Sequence, residues 1–260
     1  MTARRAATVA SAGLALAFVA CTSFYEIPVE TPISPKLDVS PFRRVLVVGF
    51  ISGGSDEVDA NVETVRLLRS QLRSRSDLAV IEADPLPLAD IAKGSAPADA
   101  ASEAAAPTGA DDAAAAEIKN QNDLESYEHL FADTAYWKKL GEEYQGPLIV
   151  TGTVLFTPHQ RSGMVERTQT VQDGFGRQRT VPVRTFMERK GFILTPKFIF
   201  IDGRTGATLY SETFREEILY NADQNTPALS SYFELMDRLV PSFLSTLSQQ
   251  KIRGTRVLLK

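Results

Sequence analysis

The alternation of apolar and polar positions divides most of the chain into strands and helices. Residues 43–50 (RRVLVVGF) form an apolar, β-branched run, the pattern of a strand buried on both faces. Val58, Val62, Val65, Leu68 and Leu72 then recur at steps of three and four, with Glu63, Arg66, Arg69 and Arg73 on the other faces. This spacing predicts an amphipathic helix over 58–75, capped by Asp56 or Ser55. Residues 78–81 read as a second short strand, and a strand, helix and strand in so little chain predict a crossover unit with parallel strands.

Further along, Leu124, Tyr127, Leu130, Phe131, Thr134, Trp137 and Leu140 make an aromatic helical stripe that stops at Gly141 and Gly146. Residues 147–156 (PLIVTGTVLF) read as a strong strand, and 191–201 and 207–214 as two more, joined by the turn Asp202-Gly203-Arg204-Thr205-Gly206. A long helix over 228–248 places Leu229, Tyr232, Phe233, Met236, Leu239, Val240, Phe243 and Leu247 on one side, with Pro241 kinking or restarting it, and 256–259 adds a last strand. Within 161–190, β-branched and polar residues alternate about Asp173, Gly174 and Gly176, which predicts a protruding hairpin. The fold class expected is α/β, a mixed β-sheet flanked by helices.

Two stretches break the periodicity. Residues 83–122 lose it; their Gly94-to-Glu117 part holds twelve alanines, five acids and no lysine or arginine. Nothing there is large enough to anchor a helix to a core, so the stretch reads as a largely disordered Ala-rich insertion, more simply a solvated loop than a docking arm. Residues 21–41 carry Pro28, Pro32, Pro35 and Pro41, a density that favours extended chain and reads as a tether. Residues 42–260 are expected to form one α/β domain.

The N-terminus changes the picture most. Arg4 and Arg5 precede an uncharged apolar run at 6–20, and the chain's one cysteine, Cys21, follows directly. This is the layout of a secretory signal, too short for a spanning helix of about 20 apolar residues. Phe18-Val19-Ala20-Cys21 resembles the small-residue box at which bacterial lipoproteins are cleaved and their cysteine acylated, palmitate included, although Phe18 stands where leucine is usual. Ordinary cleavage after Ala17 would instead leave an incidental thiol. Residues 1–20 are thus expected to be a signal peptide, Cys21 the point of lipid attachment, and Thr22, in place of a retaining aspartate, favours the outer membrane, facing the periplasm.

With Cys21 acylated, the folded part has no thiol for a disulfide, zinc finger or nucleophile. The segment after the signal has 26 basic and 32 acidic residues, a balance that argues against nucleic acid as partner. Residues 161–190 stand out, with seven basic against three acidic residues. Their Arg167, Arg177, Arg179 and Arg184 are the candidate partner-binding residues, able to make charge-assisted bonds to an acidic protein surface, lipid headgroups or cell-wall polymer. The plainer reading is a solvated hairpin whose arginines keep its edges from aggregating.

Enzyme chemistry finds little support. Gly49 to Ser55 lacks the lysine of a P-loop and the GxGxxG spacing, and reads as a strand-to-helix turn. His129 and His159 have no second ligand at metal spacing, and no GxSxG, HExxH or SxxK occurs. No catalytic residue, metal or cofactor is expected.

The succession RRVLVVGF, an amphipathic helix, LAVIEADPL, an aromatic helix, GPLIVTGTVLF and FIFIDGRTGATLYSETF before a long helix resembles the periplasmic lipoprotein α/β superfamily. That group includes the curli-secretion channel lipoproteins (CsgG), LpoB-type activators of penicillin-binding proteins and the N-terminal domain of TolB. The resemblance covers residues 43–82, 123–156 and 191–248 and implies a binding or assembly role in the cell envelope. The expectation is a lipid-anchored, non-enzymatic adaptor or assembly factor whose partner is an envelope protein or cell-wall polymer. The alternative is a subunit of a homo-oligomeric curli-like secretion channel, although neither face of the 161–190 hairpin suits lipid. A third reading is an envelope hydrolase without a local signature.

Overall fold

The computed structural model describes residues 24–75, 77–95, 118–172, 174–221, 223–224 and 226–259. In chain order the elements are β1 (Phe24–Ile33), β2 (Arg44–Gly54), α1 (Ala60–Arg75), β3 (Ala79–Ile81), α2 (Leu88–Ser95), α3 (Gln121–Glu125), α4 (Glu128–Ala132) and α5 (Thr134–Glu143). There follow β4 (Leu148–Gln172), β5 (Gln178–Asp202), β6 (Thr208–Thr213), β7 (Glu216–Asn221), α6 (Ala228–Leu247) and β8 (Gln250–Leu259). Two units result: Lys36–Ser248, and a two-stranded ribbon of β1 and β8.

The larger unit is the expected mixed sheet flanked by helices. Its strand order is β3-β2-β4-β5-β6, with β7 also pairing β5. β2 runs parallel to both β3 and β4, whereas β4/β5, β5/β6 and β5/β7 are antiparallel. Side chains alternate across the sheet, so Leu148, Val150, Val154, Phe156, Leu194, Phe198 and Phe200 meet α1 and α6 on one side. Ile149, Leu155, Ile199 and Ile201 meet α2 to α5 on the other. In β2 the parity switches between Val47 and Phe50, both on the α1/α6 side, because the register with β4 shifts between Val47 and Gly49.

That shift also corrects the reading of Gly49 to Ser55 as a turn: β2 continues through Gly54 and pairs there with Phe156. The glycines serve close packing, since a Cβ on Gly53 would lie 2.5 Å from Ile118. The α1 cap also differs from expectation. Asp59 Oδ1 accepts the Val62 N–H at 3.0 Å, while Ser55 Oγ serves Glu57 N. Arg69, expected on an outer face, is buried and donates to Val47 O at 2.7 Å.

The aromatic stripe folds as three short helices. Asp133 interrupts it by accepting the N–H groups of Ala135 and Tyr136, each at 3.0 Å, and so starts α5. Trp137 is wholly buried and its indole N–H donates to Leu130 O at 2.8 Å. Order also reaches into the expected 83–122 insertion from both sides. Leu88 and Ala92 of α2 and Ile118 ahead of α3 are core residues, so apolar side chains at its margins anchor what composition alone left unplaced. Its centre, residues 96–117, lies outside the described residues.

In α6, Tyr232, Met236, Leu239, Val240, Phe243 and Leu247 are buried as expected, but Leu229 and Phe233 are exposed. The Tyr232 hydroxyl lies 2.5 Å from Thr64 Oγ1 and 3.3 Å from Ala60 O. Burial pushes its pKa well above the ordinary phenol value. The unfolded chain ionises this phenol near pH 10 and the folded one only above that, so its contribution is intact below pH 10 and is lost as pH rises. Urea melts should therefore show the stability advantage of wild type over Tyr232→Phe shrinking by about 1 kcal/mol per pH unit above 10. An advantage that stays constant to pH 11 contradicts this.

Within the proline-rich stretch expected to be a tether, Phe24–Ile33 is an extended strand with a partner. Phe24–Ile33 pairs along its whole length with β8, which also starts earlier than the expected 256–259. Pro28 and Pro32, four residues apart, turn their nitrogens, which lack an N–H, to the same side of the strand. The expected single domain over 42–260 accordingly ends at Ser248.

Candidate functional site

β4 and β5 pair without a register break from Leu148↔Asp202 to Gln172↔Gln178. The sheet accounts for only half of this hairpin. Beyond Phe156 no strand flanks β4, and beyond Arg189 none flanks β5 among the described residues. From residue 162 to 172, past the last pair that β7 flanks, no side chain of β4 is fully buried, an arm of about 36 Å at the usual strand rise. The 161–190 excursion read from the sequence is therefore, between residues 162 and 188, a two-stranded arm that no further strand flanks among the described residues.

The register sorts its side chains. One face holds the pairs Met164↔Phe186, Glu166↔Arg184, Thr168↔Pro182 and Thr170↔Thr180. The other holds Arg161↔Arg189, Val165↔Thr185, Arg167↔Val183, Gln169↔Val181 and Val171↔Arg179. At the tip, Phe175 is 85% exposed and the Arg177 guanidinium lies 5.7 Å from its ring centroid.

Of the four arginines expected to act together, the structure brings only two to one face. Arg167 and Arg179 share a side, roughly 13 Å apart along the strands. Arg184 points to the opposite side beside Glu166, and Arg177 belongs to the turn. Arg161 and Arg189, which sequence reasoning passed over, join Arg167 and Arg179 instead. Between residues 161 and 171 and their partners 179 to 189, this face carries four arginines and no acid, with valines among them. Directly opposed like charges such as Arg161 and Arg189 are unfavourable in a sheet. Their pairing here builds a one-signed, partly apolar surface suited to a negatively charged partner.

At the hairpin base, Glu57, His159, Lys190, Phe192 and Tyr220 line an open cavity of about 720 Å³. His159 Nε2 is 3.5 Å from Glu217 Oε1. His129 is used structurally: its ring nitrogens lie 2.8 Å from Ser126 O and 3.1 Å from Ala92 O, tying α2 to the turn before α4. Among the described residues no group of three or more His, Cys, Asp or Glu is placed to hold a metal ion. No described helix is long and apolar enough to cross a membrane. Cys21 and the signal segment lie outside the described residues.

No family model and no curated protein sequence matches this chain. Among solved structures it is similar to a PelC dodecamer from Paraburkholderia phytofirmans, at 13% identity and a TM-score of 0.35, covering 86% of this chain and 100% of that one. It is also similar to lipoprotein GNA1162 from Neisseria meningitidis, at 13% identity and a TM-score of 0.33, covering 77% and 97% respectively. The expected resemblance to curli-channel, LpoB-type and TolB proteins is not shown by these similarities.

Proposed function

We propose that this chain is a lipid-anchored, non-enzymatic protein of the bacterial outer membrane, facing the periplasm, that acts as an adaptor or assembly factor. The observation that carries the adaptor role is the four-arginine face of the β4–β5 arm. An arm of this length gains nothing from the core it leaves, and its side chains meet solvent on both faces. The arm fits a polar, negatively charged partner, either an acidic envelope protein or an anionic cell-wall polymer. Arg167 and Arg179 supply its central charges, and Arg161 and Arg189 extend it toward the sheet.

The anchor is supported by the apolar run at 6–20 that ends at Cys21. Cells fed radiolabelled palmitate should yield labelled wild-type protein in the membrane pellet, and Cys21→Ser should take up no label. Wild-type protein free of label overturns the anchor.

A second reading, a channel subunit, draws on arm length, since a membrane strand needs about 9–11 residues. Against it stand Glu166 and Arg184 on one face and Arg167 and Arg179 on the other, which leave no side for lipid.

A further inference from the structure

The β1/β8 ribbon sorts its side chains more sharply than the long arm does. Its register, Tyr25↔Leu258 through Ile33↔Gln250, places Tyr25, Ile27, Val29, Ile33 and Ile252 on one face. Glu26, Glu30, Lys251, Arg253 and Thr255 lie on the other, where Arg253 Nε is 3.0 Å and Lys251 Nζ 3.7 Å from the Glu30 carboxylate. The apolar face is open: Ile27 and Ile33 are each 44% exposed and Ile252 57%. The exceptions include Thr31 and Arg256, the latter paired with Ile27, on the apolar face, and Pro28, Pro32 and Val257 on the charged one. A two-stranded ribbon is marginal in water by itself, so an apolar face of this kind calls for a covering surface.

We infer that this face lies on a phospholipid bilayer, as an interfacial β-ribbon. Where the chain continues decides for lipid over a second copy. Cys21 is three residues before Phe24, a span of at most about 11 Å. With the acyl anchor proposed above, on which this argument rests, β1 starts at the membrane surface. Arg256, paired with Ile27, suits that setting, because an arginine can lay its aliphatic stem on apolar surface and reach headgroup phosphates with its guanidinium. The ribbon does not span the bilayer: its outer edges are unpaired among the described residues, and hydrocarbon does not tolerate open edges. It works as a second membrane contact beside the lipid anchor.

The test omits the anchor, so that it reports on the ribbon alone. A chain of residues 22–260, which keeps every described residue, is floated with vesicles of phosphatidylethanolamine and phosphatidylglycerol and compared with its Ile27→Glu/Ile252→Glu form. The unsubstituted chain should rise with the vesicles. The double substitution should reduce the floated fraction at least tenfold while circular dichroism and the β2–β7 body's urea midpoint stay unchanged. Failure of the unsubstituted chain to float, or equal flotation of both, overturns the inference. So does a dimer in light scattering that the substitutions dissociate without any flotation, which would make the face a contact between copies. None of these outcomes depends on acylation of Cys21, which palmitate labelling reads separately.

Discussion

Gly152→Val should abolish folding of the sheet unit. Gly152 sits in the part of β4 that lies between β2 and β5, with φ +144°, a conformation essentially confined to glycine, and a Cβ there would lie 1.8 Å from Lys197 O on β5. Neither strand can yield. β4 is enclosed by β2 and β5, and the flanking side chains Thr151 and Thr153 are buried. Backbone strain and steric overlap together exceed about 4 kcal/mol, a large part of a domain's stability of about 5–15 kcal/mol. The expected result is insoluble protein, or a urea midpoint too low to measure. Gly163→Val is the control. A Cβ at Gly163 meets nothing within 4 Å, so this substitution on the exposed arm should change stability by less than about 1 kcal/mol. Native stability in Gly152→Val would mean that β4 and β5 are not paired as described.

Reversing charge on one face of the arm should separate binding from folding. Arg167→Glu with Arg179→Glu alters two exposed residues that no buried group depends on, so the urea midpoint should stay within about 0.5 kcal/mol of wild type. Partner capture should fall at least tenfold, because the substitution turns two central attractive charges into repulsive ones. Arg184→Glu, on the opposite face, should leave capture within about twofold of wild type. The sequence grouping of four arginines predicts equal losses from both faces, and the register predicts unequal ones.

How much of this was legible in the sequence depended on the range of the interaction. β2 and β4 show as continuous apolar runs because helices cover both faces of their sheet, and α1 and α6 show in their spacing because each buries one side against it. The three-way division of the aromatic stripe was hidden, since it turns on Asp133 capping a new helix in the middle of a helical pattern. The β1/β8 ribbon was hidden for a different reason. Glu30 and Arg253 meet across 223 residues of chain, and prolines made β1 read as unpaired. In the arm, the parity of Arg179 and Arg184 already set them on opposite faces. Arg161 and Arg189 could be added only once the register was known, because slipping it by one residue moves every side chain to the other face.

The most direct test of the adaptor account is crosslinking in intact membranes, followed by purification of the full-length chain and identification of what comes with it. The account predicts a discrete acidic protein or cell-wall fragment with wild type and with Arg184→Glu, and its loss with Arg167→Glu/Arg179→Glu at equal protein level. Recovery of the same partner at the same yield from the Arg167/Arg179 variant would contradict it.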